Sequence, residues 1–207
     1  MRRKRGRRTM FVQIIEGSAS DRAEMQRLME RWIAELRPGA TGFLGTTAGV
    51  ADDGRSIAVV RFESADAARA NSERPEQGAW WEEMEACYDG DVSFAESEDV
   101  QTMLGGGSND AGFVQVMKSA DVDRDLIARM DDIFEKHAPT MRPDLVGGLR
   151  VWTGPESSYE VIYFTSEDAA REGEAKPMPP EFDELGVDFG EMMANTEFID
   201  LRDPWIY

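Results

Sequence analysis

Apolar positions along the chain change period several times, and each change marks an element. Phe11–Ile15 is a run of β-favouring residues that Gly17, Ser18 and Ser20 close, which predicts a first strand. Met25, Leu28, Met29, Trp32, Ile33 and Leu36 then fall at i, i+3, i+4, i+7, i+8 and i+11, one stripe of a helix. Asp21 and Glu24 are spaced as its N-terminal cap and reciprocal acid, and Pro38-Gly39 ends it. Gly42–Val50 and Ser56–Phe62 read as an antiparallel pair turned by Asp52-Asp53-Gly54. Ser64 caps a short helix through Asn71. Pro75 opens another helical stretch carrying Trp80, Trp81, Met84, Cys87 and Tyr88, and Val92–Ala95 gives a last strand. The predicted order is strand, helix, strand, strand, helix, strand.

The same order then returns. Phe11-Val12-Gln13-Ile14 is echoed by Phe113-Val114-Gln115-Val116, and Arg61-Phe62-Glu63-Ser64 with Asp66-Ala67-Ala68-Arg69 by Tyr163-Phe164-Thr165-Ser166 with Asp168-Ala169-Ala170-Arg171. Both echoes share an offset of 102, so the chain is a duplicated unit of about a hundred residues. Between them Arg37-Pro38 and Gly42 match Arg142-Pro143 and Gly147 at an offset of 105. The second copy is predicted as strand Phe113–Met117, helix Asp123–His137, strands near Gly148–Thr153 and Tyr159–Phe164, and a helix from Ser166. This divides the chain into a basic tail or start-site artefact (1–9), a first ferredoxin-like repeat (10–103), a Gly-rich flexible linker (104–112) and a second repeat (113–207).

Both faces of the predicted strands are apolar. Val12 and Ile14 oppose Phe11, Gln13 and Ile15, while Ile57, Val59 and Arg61 oppose Ala58, Val60 and Phe62. Helices cover one face only. The bare face of one sheet must therefore lie on that of the other, which predicts an α+β fold of two tandem βαββαβ repeats closed into a pseudo-dimeric α+β barrel within one chain.

Composition narrows the function classes. The 207 residues carry a net charge of −18, to which Arg2, Arg3, Lys4, Arg5, Arg7 and Arg8 contribute +6, leaving −24 on the rest. Such a body repels phosphate backbones and anionic lipid, so neither nucleic acid nor membrane is an expected partner. The apolar runs are far shorter than a membrane helix needs, and the cytoplasm is the expected location. One cysteine excludes an intrachain disulfide, and one cysteine with one histidine excludes thiolate or histidine-rich metal sites, so no metal is expected. Phosphate-binding glycine loops and nucleophile elbows are absent, since Gly105-Gly106-Gly107 lacks the lysine and helix that would follow.

Phe11–Ile15, the run Arg61-Phe62-Glu63-Ser64 into Asp66-Ala67-Ala68-Arg69, and Pro75-Glu76-Gln77-Gly78-Ala79-Trp80-Trp81 resemble the dimeric α+β barrel superfamily, which includes antibiotic-biosynthesis monooxygenases and haem-degrading relatives. The resemblance spans both copies and implies a fused version of a barrel that relatives build from two chains. Haem-degrading relatives use a first-strand asparagine, a tryptophan and an iron-ligating histidine near the second helix. Here the first-strand positions hold Gln13 and Gln115, and the lone His137 ends the wrong helix, so haem is disfavoured and no cofactor is expected.

The resemblance points instead to cofactor-independent oxidation or isomerisation of an aromatic or apolar metabolite in a pocket with few polar groups. The candidate pocket residues are Gln13, Arg61, Trp80, Trp81, Gln115 and Tyr163. Arg61 would pair an anionic group and Tyr163 would donate a hydrogen bond. Each also has a structural reading: the glutamines satisfying one another across the seam, Arg61 ending its strand in solvent, the tryptophans anchoring the core. Pro177, Pro179 and Pro180 replace the helix that carries Trp80 and Trp81, which places the pocket in the first copy and leaves the second as scaffold. The alternatives are a non-catalytic ligand-binding or stress-associated protein, and an assembly subunit with an exposed apolar seam. A monomer or weak homodimer is expected.

Overall fold

The computed structural model describes residues 10–186 and 193–207. The basic tail therefore lies outside the described residues. In chain order the elements are β1 (Phe11–Ser18), α1 (Arg22–Arg31), β2 (Phe43–Val50), β3 (Arg55–Phe62), α2 (Ala65–Ser72), α3 (Pro75–Glu85), β4 (Ser93–Ser97), β5 (Val100–Met103), β6 (Phe113–Ser119), α4 (Arg124–Met141), β7 (Leu145–Trp152), β8 (Ser158–Phe164), α5 (Glu167–Glu174), β9 (Thr196–Leu201) and β10 (Trp205–Ile206). A π turn at Trp32–Leu36 and a 3-10 turn at Arg37–Gly39 extend α1, and a 3-10 turn at Pro180–Leu185 stands where α3 would recur.

Local chemistry sets most boundaries. Ser64 and Ser166 cap α2 and α5 identically, each hydroxyl accepting from the amide three residues on at 3.2 Å. Asp21 caps α1 by accepting from the Glu24 amide at 3.0 Å, but Glu24 does not reach back to complete a reciprocal box. Its carboxylate is taken by Arg27. Gly54, at φ +87°, makes the turn between β2 and β3, a left-handed position that favours glycine.

Two five-stranded antiparallel sheets result, in the orders β10-β2-β3-β1-β4 and β5-β7-β8-β6-β9. Each repeat lends the other its outer strand. Glu98-Asp99 carries the chain from β4 into β5, which pairs with β7 of the second sheet, and Arg202–Pro204 carries it from β9 into β10, which pairs with β2 of the first. The sequence pattern missed both exchanged strands. Residues 104–112 are also more tightly held than a flexible linker: Gly148 donates its amide to Gly106 O at 3.0 Å, and a side chain at Gly147 would collide with that carbonyl.

The β-bulges correct the repeat register. Phe43 pairs with Phe62 and Leu145 with Phe164, and the bulges follow at Gly45 and Gly147. Gly147 is thus equivalent to Gly45, not to Gly42, and the offset of 102 holds through the strands. The second copy therefore gains no residues before β7; α4 runs on to Met141, with Pro139 inside it, over the stretch that the first copy spends on α1 and its two short turns.

The sheets meet face to face, as the two apolar strand faces require. Val12, Ile14, Ile57 and Val59 from the first repeat pack with Val114, Val116, Leu149 and Val161 from the second, all at most 1% exposed. At about 1.5–3 kcal/mol for each fully buried aliphatic side chain, this shared interior is the main reason the halves stay closed. Helices cover the outer faces: α1 and α3 bury Met25, Leu28, Trp32, Trp80 and Met84 on the first sheet. Among the described residues no helix is long and apolar enough to cross a membrane.

Candidate functional site

Strand alternation distributes the six candidate residues over three places. Gln13 lies on the helix-facing side of β1 and lines a cavity of about 290 Å³ in the first repeat, together with Trp80 and Trp81. Gln115 holds the equivalent place in the second repeat and lines a cavity of about 950 Å³. The two glutamines do not meet across the seam, because Val12 and Ile14 are the seam-facing residues of that strand. Each instead donates to its own edge strand, Gln13 Nε2 to Glu96 at 2.7 Å and Gln115 Nε2 to Asp200 at 2.8 Å.

Arg61 and Tyr163 face the opposite way, into the barrel. Tyr163 is fully buried, its hydroxyl 2.6 Å from Thr47 Oγ1, and burial pushes its phenol up despite the opposing effects of Arg61 and Thr47. The Arg61 guanidinium threads between Gly45 and Gly107, where any Cβ would strike it. It therefore does not end its strand in free solvent. Arg61 Nε is sealed off without a partner among the described residues.

The first cavity is largely plugged by its own side chains. Trp80 is 7% exposed and donates Nε1 to Leu28 O at 2.8 Å, which makes it a core anchor. Trp81 closes the mouth by packing on Phe94, ring centres 5.4 Å apart. In the second repeat Phe182 fills the place of Trp80, but Asp183 stands where Trp81 would and offers no ring to Phe198, the counterpart of Phe94. The roomier cavity is consequently in the second repeat, the half whose prolines suggested a scaffold.

Its floor is polar where that of the first is apolar, and equivalent positions explain the difference. Met29, Ala48, Ala58 and Trp205 come together under α1, with Ala48 paired to Ala58 and to Trp205. The same places under α4 hold Asp131, Arg150, Glu160 and Gln101, with Arg150 paired to Glu160 and to Gln101. The Arg150 guanidinium, 4% exposed, donates to Asp131 and, at 2.8 Å, to Glu160 Oε2, while Gln101 Nε2 donates to Asp131 at 2.9 Å. Burial works against the arginine's charge, but the two carboxylates outweigh it and hold the guanidinium above its ordinary range. Sequence reading missed this quartet because its members lie on four elements and share no motif.

His137 borders the cavity with Nε2 3.0 Å from Glu181 Oε1. Lys136 is the main cause, with His137 contributing, of a Glu181 carboxyl lowered to about 2. Together they tie the Pro180–Leu185 turn to α4. Among the described residues no group of three or more His, Cys, Asp or Glu side chains is placed to hold a metal ion.

No protein-family model and no functionally curated protein matches the sequence. Solved structures do match over nearly the whole chain. A provisionally named monooxygenase from Fusobacterium nucleatum superposes with a TM-score of 0.71 at 12% identity, covering 96% of this chain and 94% of its own. A provisionally named monooxygenase from Lactobacillus acidophilus gives 0.66 at 14% identity, covering 96% and 99%. An uncharacterised ferredoxin-fold protein from Listeria monocytogenes, related to antibiotic biosynthesis monooxygenases, gives 0.53 at 14%, covering 96% and 94%. At such identities the likeness is one of architecture. The chain has the ferredoxin-like fold of antibiotic-biosynthesis-monooxygenase-like proteins, as a tandem repeat closed on itself.

Proposed function

We propose that the protein binds a small, largely apolar metabolite in the cavity of the second repeat and oxidises it there without a cofactor. The observation that carries this reading is the quartet substitution. The same fold position is lined by Met29, Ala48, Ala58 and Trp205 in one repeat and by Asp131, Arg150 and Glu160, with Gln101 bonded behind Asp131, in the other. An apolar space with a few convergent polar groups is the usual form of a small-molecule site. A core with no binding role has no need of a buried guanidinium, whose desolvation is a heavy cost unless carboxylates pair it.

The similar structures named for monooxygenases support the choice of chemistry. In such a reaction an electron-rich methylene becomes a carbonyl. One atom of O₂ enters the carbonyl, and the other leaves as water with the two hydrogens of the methylene, the substrate supplying the electrons. The protein's part is to orient the substrate, exclude water and accept a proton.

The same fold without turnover would be a ligand-binding protein. The experiment that tests the reading fills each cavity in turn. Met117→Trp, in the second cavity, is expected to abolish both binding of a planar aromatic and O₂ uptake, whereas Val60→Trp, in the first, leaves both. The reverse order would move the site to the first repeat, and binding without incorporation of ¹⁸O would remove the oxidative step.

A further inference from the structure

The charge of the second cavity is not balanced. Arg150 is one cation between two carboxylates, and Glu160 presents its remaining oxygen beside the cavity, its side chain 25% exposed. The other arginines at the wall are already engaged. Arg142 lies on both oxygens of Asp144, and Arg171 is shared among Glu167, Glu174 and Asp200. Lys176 donates to Met141 O. Among the described residues of the lining, six carboxylates accompany four arginine and lysine side chains. The fold does not require this charge, since the first repeat holds Met29, Ala48 and Ala58 at the same positions.

The wall has its own character. Met103, Met117, Met130 and Met141 line it beside Phe134 and Phe198. Methionine is flexible and polarisable, so such a wall adapts to ligands of differing outline. Aromatic faces attract cations, and the acidic body raises their local concentration. An anion would meet unbalanced carboxylates in a poorly screened space.

We propose that the second-repeat cavity selects amphipathic organic cations, compact apolar molecules bearing one ammonium or phosphonium centre. The charge sits at Glu160 and the apolar body against the methionines and Phe198. This deepens the reading of that cavity as the ligand site and rests on it.

The test uses two probes of one shape and opposite charge, tetraphenylphosphonium and tetraphenylborate, with neutral N-phenylnaphthylamine, titrated calorimetrically into the full chain. The cation is expected to bind about tenfold or more tighter than the anion, the scale of one charge pair a few ångströms apart in a partly screened space. Glu160→Gln should reduce that preference about tenfold and leave the neutral probe within about twofold, since only the Coulombic attraction is removed. Glu160→Ala, which installs the residue found at Ala58, serves as a second variant and should do the same. Neutral binding with no preference for the cation, or a preference that both variants retain, overturns the charge selection and leaves the ligand site standing. Failure of all three probes to bind overturns both.

Discussion

Lys118 Nζ lies 3.2 Å from Glu16 Oε1, and the two residues hold the same position in the two repeats, 102 apart on β6 and β1. Tyr159 adds its hydroxyl to the same carboxylate. A barrel made from two identical chains would place like residues at these equivalent positions. Joining the repeats in one chain lets the two positions differ, and here they have become complementary. Arg61 and Tyr163 show the same freedom, occupying one repeat position with different chemistry.

Lys118→Glu should therefore set two carboxylates together at the barrel seam. With side chains 40% and 18% exposed, the pair is neither fully screened nor fully buried, and a loss of about 1–2 kcal/mol in urea unfolding is expected. Exchanging both residues, Glu16→Lys with Lys118→Glu, should recover part of that loss. A double variant no better than the single would mean that the pair contributes nothing.

Alkaline pH should weaken the same seam. Burial, with the hydrogen bond to Glu16 next, pushes the Tyr159 phenol up from 10 to about 12. The folded state thus holds a proton that the unfolded state releases. Its contribution is complete below about pH 10 and is lost as pH rises toward 12. Burial opposes the Lys118 charge, but Tyr159 and Glu16 outweigh it and raise that group too, so its contribution fades in the same direction. Thermal melts of Tyr159→Phe should fall less between pH 9.5 and 11.5 (roughly the window set by these shifts) than those of the parent. Parallel curves would exclude Tyr159 as the titrating group.

Two glycines should respond oppositely to alanine. A Cβ at Gly147 would collide with Gly106 O, backbone that cannot swing aside, so Gly147→Ala should cost about 1–3 kcal/mol. Gly78 lies within α3 with nothing near its Cβ position, and Gly78→Ala should gain about 0.5–1 kcal/mol. Chemical denaturation midpoints decide both.

The adjacent tryptophans should separate by role. Trp80→Ala empties a buried place and frees the Leu28 carbonyl, and about 3–5 kcal/mol should be lost. Trp81→Ala opens the half-buried mouth beside Phe94 and should cost less than half as much while increasing dye access to the first cavity. Equal losses would show that Trp81, too, is part of the packed core.

The duplication, the order of strands and helices, the serine caps and the closed seam were legible in the sequence. These depend on local periodicity and on strands apolar on both faces, such as Val12 and Ile14 against Phe11 and Ile15. The exchanged strands were not. β5 and β10 are four and two residues long, too short for a periodic signal, and they form only because an edge of the other sheet is free to pair with them. The cavity was decided later still. Asp131, Arg150, Glu160 and Gln101 look in sequence like scattered surface polar residues, and only the crossing of α4 over β5, β7 and β8 gathers them into a buried network. Pattern along a chain reports which face a residue takes. Which distant residues share that face is settled by packing, because charge and volume are compensated between elements, not within them.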